Sequence, residues 1–398
     1  MLSFKESLNI ILDAVHPQGS ERIPTKKSFG RVLDSDIMLT KDFPEVRLSA
    51  IDGYAFCISD CTEYKKIGSI GAGRVLNLSL EPGECAAVMT GAIVPEGTDC
   101  MVKVEDCIEN LDFISTQVPL KLGDLINEIG SEAKTGGLLV KAGTLISKSV
   151  FPTLFYAGKT EVNVCKIPRI GLLLTGDELC DIDDKPLKGQ IFDTNGSILQ
   201  SFLNELHLPI HSKIKANDNE QEIQKALKTL EDSCDIVISS GGVSMGKYDY
   251  IKKILTENDY KLLIQGTAIK PGKPLMVAQK NGKLIFGMPG YPAAFLTNCL
   301  MYLVPAIKKA CGRFDFHHRF IKAILTHPLK SRKGKLYLNR IKLEISENGW
   351  LAQTPDSQQT SHFLNFSEVN GLAFLDKDVG NLEQGAEIKC LHFDLELS

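Results

Sequence analysis

One stretch decides the fold. Between Arg169 and Pro292, apolar runs end in four turns: Thr175-Gly-Asp-Glu-Leu179, Ser239-Ser-Gly-Gly-Val-Ser-Met-Gly246, Lys270-Pro-Gly-Lys-Pro274 and Met288-Pro-Gly-Tyr-Pro292. In an open α/β sheet, the loops at the carboxyl ends of the strands gather at one edge, and ligands bind there. This edge would combine carboxylates, backbone N–H donors and two lysines. Such a set suits an anionic, phosphorylated substrate.

The sequence around these turns alternates between strand and helix patterns. Ile170 to Thr175 and Asp235 to Ser239 are typical of buried strands, and Asn281-Gly282 is typical of a hairpin turn. Ala293 to Ala310 predicts a long apolar helix. The alternation predicts a mostly parallel sheet with helices on both faces.

The flanking segments have a different pattern. From about Ile23 to Ser131, short apolar runs are separated by Gly, Pro and Asp turns, which predicts a β-rich domain. Leu145 to Tyr156 predicts another helix. After Gly312 the chain alternates between polar and apolar residues, which predicts a small C-terminal β-barrel or sandwich.

Composition excludes several classes of protein. The 398 residues carry a formal net charge of −4, which disfavours broad nucleic-acid binding. No apolar run reaches the roughly 18 residues that span a bilayer. The eleven cysteines are scattered, without Cys-x-x-Cys pairs, so we expect a reduced, cytoplasmic protein with no membrane partner and no zinc site.

Acidic residues near the strand ends are candidate metal ligands. Asp177 and Glu178 are adjacent, and such a pair is costly unless a cation or a donor set holds it. Mg²⁺ takes one or two carboxylates together with phosphate oxygens, which fits this pattern. Asp193 precedes a predicted helix, so it is equally well explained as an N-cap.

The glycine loop is the most specific of the four turns. Gly241 and Gly242 allow successive backbone N–H groups to point at an anion, and Ser244 follows in the same loop. The loop matches neither the P-loop nor the dinucleotide pattern. Asp249, a few residues later, makes sense beside an anion cradle if a divalent cation bridges the two.

Two further turns complete the set. Lys270 and Lys273 hold two ammonium groups on one stiff turn, and an oxyanion would relieve their repulsion. The Met288–Pro292 turn would bring backbone close to a ligand at the start of the next helix. In the N-terminal half, Asp52 and Thr90 lie in turns that look ordinary when taken alone.

Taken together, these segments resemble the molybdopterin molybdenumtransferases, the MoeA family that includes the gephyrin E domain. The resemblance covers nearly the whole chain and rests on the four turns above, with Ile51-Asp-Gly-Tyr-Ala55, Met89-Thr-Gly-Ala92 and Asp193-Thr-Asn195 in matching order. It implies four domains: residues 1–22 with 136–166, a β-rich insert at 23–135, a MogA-like molybdopterin-binding α/β domain at 167–311, and a C-terminal β-barrel at 312–398.

The resemblance also implies a reaction and its residues. The reaction is Mg²⁺-assisted insertion of molybdate into adenylylated molybdopterin with release of AMP. The implied metal ligands are Asp177, Glu178, Asp193 and Asp249. The implied catalytic residues are Asp52, Thr90, Glu178, Asp249, Lys270 and Lys273. The implied substrate contacts are Gly176, Gly241, Gly242, Ser244, Pro274, Pro289, Gly290, Pro292, Arg340 and Ser361.

The resemblance implies partners as well. These are an elongated homodimer whose cleft is shared between subunits, and contacts with a molybdopterin adenylyltransferase and with maturation proteins of molybdoenzymes. Three other functions stay open: tungstate insertion, adenylyl transfer, and a carrier or scaffold that binds molybdopterin without turnover. Ala133 and Ala294 motivate the carrier, because they stand where the family has polar residues.

Overall fold

The computed structural model describes residues 1–74, 77–243, 249–355 and 357–397. The chain divides into two compact units, Met1–Ser35 with Ala142–Ser398 and Asp36–Lys141. The helices are α1 Phe4–Asp13, α2 Val150–Tyr156, α3 Thr194–Glu205, α4 Glu220–Ser233, α5 Tyr250–Glu257, α6 Pro292–Asn298, α7 Val304–Ala310 and α8 Phe393–Leu397. In the described part of the chain, none of the helices has the length and apolar character that crossing a bilayer requires.

Strands in the first part of the chain are short. They are β1 Ser20–Pro24, β2 Ile37–Met38, β3 Leu48–Ser49, β4 Gly53–Phe56, β5 Tyr64–Ile70, β6 Glu84–Val88, β7 Cys100–Lys103, β8 Cys107–Asn110, β9 Phe113–Thr116, β10 Ile126–Asn127, β11 Leu138–Val140 and β12 Glu161–Cys165. Within the 36–141 unit, six of them form a sheet in the order β7-β4-β6-β5-β9-β8. This sheet confirms the prediction that the inserted segment is rich in β-strands.

A two-stranded antiparallel ladder in the larger unit joins distant parts of the sequence. Strand β1 pairs antiparallel with β12, and Arg22 lies opposite Asn163. This pairing supports the prediction that the N-terminus and a returning segment make one domain. The exact domain boundaries stay predictions.

The central sheet belongs to an α/β domain. Its segment contains β13 Ile170–Thr175, β14 Leu179–Cys180, β15 Ile191–Phe192, β16 Ile210–Ala216, β17 Ile236–Ser240, β18 Lys261–Gln265, β19 Ile269–Lys270, β20 Met276–Lys280 and β21 Lys283–Met288. The sheet order is β16-β13-β17-β21-β20-β18. The first four strands are parallel, whereas β20 runs antiparallel to both of its neighbours, β21 and β18.

Successive side chains of β13 point to opposite faces of this sheet, and helices cover both faces. Leu172 packs into the core that contains α1, α3, α6 and α7, while Leu173 packs into the core that contains α4 and α5. Both side chains are fully buried. A strand buried on both faces reads as a continuous apolar run, which is what its sequence shows.

The long helix predicted from Ala293 to Ala310 consists of α6 and α7 with a π-helical segment, Cys299–Leu303, between them. His318 Nε2 lies 3.1 Å from the carbonyl oxygen of Met301 within that segment. The helix predicted from Leu145 begins five residues later, at Val150, because Leu145 forms an isolated bridge with Val32.

The C-terminal region is a closed barrel. Its strands are β22 Phe320–Leu325, β23 Leu336–Ser346, β24 Gly349–Gln353, β25 Gly371–Leu375 and β26 Glu387–His392. The order β23-β24-β22-β26-β25 closes because β25 also pairs with β23. This confirms a barrel rather than a sandwich. The predicted fold class, α/β plus β, is also confirmed, while the homodimer stays a prediction.

Candidate active site

The main cavity lies at the carboxyl ends of four parallel strands, where the sequence predicted it. Strands β13, β17, β21 and β16 end next to one another, and the loops that follow them line a cavity of about 510 Å³. The lining residues are Thr175, Gly176, Glu178, Leu179, Ile191, Asn195, Asp218, Ser240, Gly241, Gly242, Val243, Asp249, Pro274, Pro289, Gly290, Tyr291 and Pro292. The structure therefore brings together nine of the predicted site residues: Gly176, Glu178, Gly241, Gly242, Asp249, Pro274, Pro289, Gly290 and Pro292.

Glycine is required at the base of this cavity. Gly241 has φ +96°, and a Cβ there would lie 2.8 Å from Thr175 Oγ1. The Gly241 amide donates to the Met288 carbonyl oxygen at 2.9 Å, which fastens the loop to the neighbouring strand end. Ser244, predicted in the same loop, lies outside the described residues.

Gly176 controls the position of Glu178 in a similar way. Its φ is +136°, and a Cβ would lie 2.4 Å from Glu178 Oε2. Only glycine therefore lets the Glu178 carboxylate fold back over the turn.

A buried amide, Asn195, ties the loops together. Its Nδ2 donates to Ser240 Oγ and to the Gly290 carbonyl oxygen, both at 2.7 Å. The carbonyl partner fixes the orientation of the amide, because only the nitrogen can donate to it. In the sequence, Asn195 stands out only as part of the Asp193-Thr-Asn195 motif, and its spacing from the strand ends gives no sign of this contact.

The Asp218 carboxyl lies among other acids of the cavity. Burial raises the pKa of Asp218, and the negative charges of Asp177 and Glu178 raise it further. The Asp218 amide also donates to Asp177 Oδ1 at 3.1 Å. Asp218 is not among the predicted site residues, although it follows β16 as Asp177 follows β13, and an acid just after a strand is the signal that predicts Asp177.

Asp193 is used differently from the other predicted ligands. Its Oδ1 accepts from the Gly196 amide at 2.7 Å, which caps α3, and its Oδ2 pairs with Lys213 at 2.9 Å. Both oxygens are engaged, so the structure favours the N-cap interpretation, and the metal-ligand role stays a prediction.

The lysines of the Lys270–Pro274 turn line two different cavities. Lys270 lines one of about 120 Å³ that also contains Asn339 and Thr360, and its Nζ lies 5.3 Å from the centre of the Tyr337 ring. Lys273 lines another, of about 370 Å³. The two predicted site lysines thus line separate cavities.

Arg340 has a structural role in the barrel. It is 4% exposed. Its guanidinium donates to the carbonyl oxygens of Ser357 and Gln359 at 2.9 Å and to Asn365 Oδ1 at 2.7 Å. These donors hold the loop that carries Ser361, which is exposed. Arg340 therefore stabilises the loop. It also lines the cavity of Lys270, and its contact with substrate stays a prediction.

Asp52 and Thr90 lie together within the 36–141 unit. The Thr90 amide donates to Asp52 Oδ1 at 2.7 Å, and both residues lie in turns beside β4 and β6. The pairing explains two motifs that looked ordinary in isolation. Their catalytic role stays a prediction.

Three family models match successive parts of the chain. The MoeA N-terminal region, domains I and II, matches residues 2–158, the probable molybdopterin binding domain matches 171–309, and the MoeA C-terminal region, domain IV, matches 322–393. The cavity at the sheet edge lies within the second match. Fold and site thus define an enzyme of molybdenum cofactor biosynthesis with a molybdopterin-binding domain.

Relatives identify the family. A molybdopterin molybdenumtransferase of Staphylococcus aureus strain Mu50 is 32% identical over 81% of this chain and 78% of its own length. One of Staphylococcus epidermidis strain RP62A is 29% identical over 94% and 91%. The crystal structure of the molybdopterin biosynthesis MoeA protein from Pyrococcus horikoshii OT3 superposes with a TM-score of 0.82, at 26% identity, over 98% and 100%. The chain belongs to the molybdopterin molybdenumtransferase family and is a transferase.

Proposed function

We propose that this chain inserts molybdate into adenylylated molybdopterin and releases AMP. The observation that carries the proposal is the convergence of acids and glycine backbone in one cavity. Glu178, Asp218 and Asp249 line it together with Gly241 and Gly242. A substrate with adjacent phosphates and flat rings matches this mixture of acidic, backbone and apolar groups.

In this proposal, the glycine backbone binds the phosphates, and the packed loops orient the phosphoryl–adenylate bond that breaks. Asn195 has a positioning role, since its amide holds the Ser240 and Gly290 loops in register. Positioning and neutralisation of charge supply most of the rate enhancement in such reactions.

The carboxylates fit a magnesium ion that is shared with the substrate. No group of three or more His, Cys, Asp or Glu side chains in the described parts forms a ready metal cage. Mg²⁺ usually needs only one or two carboxylates plus phosphate oxygens. One or two of the carboxylates of Glu178, Asp218 and Asp249 would hold it together with phosphate oxygens, and the ion would neutralise charge on the phosphates. The raised pKa of Asp218 supports this fit, because a cation would relieve the crowding of like charges.

Molybdate would approach the cavity lined by Lys270 and Thr360. The small volume, about 120 Å³, and the ammonium group suit a compact dianion. Tungstate has the same charge and a similar shape, so we expect the two oxyanions to compete.

The direct test is to incubate the purified protein with adenylylated molybdopterin, Mg²⁺ and molybdate, and to measure AMP. We expect AMP release that depends on molybdate and on Mg²⁺. Binding without AMP release would indicate the carrier instead. Consumption of ATP without molybdate would indicate an adenylyltransferase.

We also propose a cytoplasmic homodimer with a shared site. All eleven cysteines are free thiols, which supports a reducing compartment. The Asp52–Thr90 pair would complete the cavity of a second subunit. Hand-off from an adenylyltransferase to maturation proteins of molybdoenzymes would follow from the position of this reaction in the pathway.

A further inference from the structure

Tyr291 and Ile191 form an apolar lip at the rim of the main cavity, and the proposed binding of phosphate does not involve these two side chains. Tyr291 and Ile191 both line the cavity, and they are 64% and 57% exposed. Burying apolar surface against a ligand is favourable, so these two side chains offer a contact at the rim of the cavity. The rest of the lining is mainly backbone, acids and small residues.

The lip is held in place by backbone contacts. Leu179 of β14 pairs with Ile191 of β15, and the Ile191 amide donates to the Glu178 carbonyl oxygen at 2.7 Å. On the other side, the Tyr291 carbonyl oxygen accepts from the amides of Ala294 and Phe295 at 3.0 and 2.9 Å. The Tyr291 backbone is therefore fixed at the start of α6, while its side chain lines the cavity.

We infer that Tyr291 is a stacking residue for a planar heterocycle of the substrate, with Ile191 as the second apolar contact. This inference rests on the proposed function. An exposed aromatic ring is a good platform for a flat ring, because stacking depends on the π-face and tolerates many heterocycles. Since Ile191 is bonded to the backbone of Glu178, the lip positions a bound ring next to the acidic part of the cavity.

Two parts of the proposed substrate have the required chemistry, namely the adenine ring and the pterin ring. Both contain a flat, nitrogen-rich pyrimidine ring, and both are linked to phosphate through intervening carbon atoms. The structure assigns the ring contact without choosing between them, so the experiment has an arm for each.

The test measures the affinity of AMP and of free pterin for the full chain and its variants by titration calorimetry. Tyr291→Ala should weaken one of the two ligands by about 10-fold or more, the scale of losing one stacked ring. Tyr291→Phe should bind like the wild type, because the ring and not the hydroxyl makes the contact. Tyr156→Ala is the matched control, since Tyr156 is 66% exposed on α2 and does not line the cavity.

A loss confined to AMP identifies adenine as the stacked ring, and a loss confined to pterin identifies the pterin. The inference is overturned if Tyr291→Ala binds both ligands as tightly as the wild type, or if Tyr291→Phe is as weak as Tyr291→Ala. Thermal unfolding of each variant separates lost binding from lost folding. Binding can be measured without turnover. A wild type that binds the ligand but releases no AMP would contradict the proposed function and would leave the stacking role of Tyr291 standing.

Discussion

The Asp218 carboxyl lies in an environment that disfavours its charged form. Its pKa is raised because burial and the neighbouring acids disfavour the charged form. A raised carboxyl pKa means that the folded state is favoured below the unfolded value, and that this advantage is lost as the pH rises through the folded value. At neutral pH the group therefore destabilises the fold.

Replacing Asp218 with Asn should separate stability from activity. We expect no loss in the free energy of unfolding at neutral pH, and a small gain, because the like-charge repulsion is removed. Mg²⁺-dependent AMP release should fall by at least about 10-fold, the effect of losing a partner at a metal site. Denaturant unfolding and the turnover assay measure the two effects, and full activity would remove Asp218 from the site.

Arg340 allows the structural and the substrate-binding interpretations to be told apart. Arg340→Lys should destabilise the barrel by on the order of 3 kcal/mol, because lysine cannot reach the carbonyl oxygens that the guanidinium serves. Arg332→Lys, at an exposed position, is the control. Unchanged stability with a higher molybdate requirement would instead support substrate contact.

The turn from Lys270 to Pro274 shows how one glycine can position two charged side chains. Gly272 has φ +108°, and a Cβ there would lie 2.4 Å from Asn298 Oδ1. The turn thus packs directly against the end of α6, which directs its two lysines towards different cavities.

Gly272→Ala should cost about 1–3 kcal/mol of stability and raise the molybdate concentration needed for half-maximal rate, because the strained turn must shift. Gly282→Ala is a matched control, since Gly282 also has a positive φ but no atom within 4 Å of the added Cβ. It should lose stability without any change in molybdate dependence. Equal molybdate responses in the two variants would contradict a role for the turn in binding.

Strand ends and turns were predictable because local sequence determines them. The run from Ile170 to Leu174 is apolar, and the glycines after β13 and β17 are where the backbone needs positive φ. Contacts of Asn195 and Arg340 were not predictable, since they depend on loops distant in sequence.

Buried thiols should limit the stability of the whole chain at alkaline pH. Burial raises the pKa of Cys85 and of Cys390 from 9.0 to about 12. Below the unfolded value both states are protonated. Above it the unfolded chain loses protons that the folded chain keeps, so stability falls as the pH rises.

From about pH 9 to pH 10, each such thiol should remove up to about 1.4 kcal/mol of stability. Denaturant unfolding in the presence of a reductant measures this slope. Cys390→Ala should have a shallower slope than the wild type, whatever its stability at neutral pH. A slope identical in both proteins would show that Cys390 does not contribute.

Subunit mixing tests the proposed shared site. Asp52→Ala and Asp249→Ala should each be inactive alone. Mixed dimers should recover about one quarter to one half of wild-type activity if each site takes residues from both chains, because one of the two sites is then intact. Verified heterodimers without any recovery would argue for a site within one chain.

The inserted 36–141 unit begins and ends side by side, because Met38 of β2 pairs with Leu138 of β11. The flanking chain is equally close, since the Gly143 amide donates to the Leu33 carbonyl oxygen. The chain could therefore be cut before Asp36 and after Lys141, and its two ends rejoined with a short peptide. The insert is thus suited to excision and to transplantation between homologues, and chimaeras made at these two points would exchange it as a cassette.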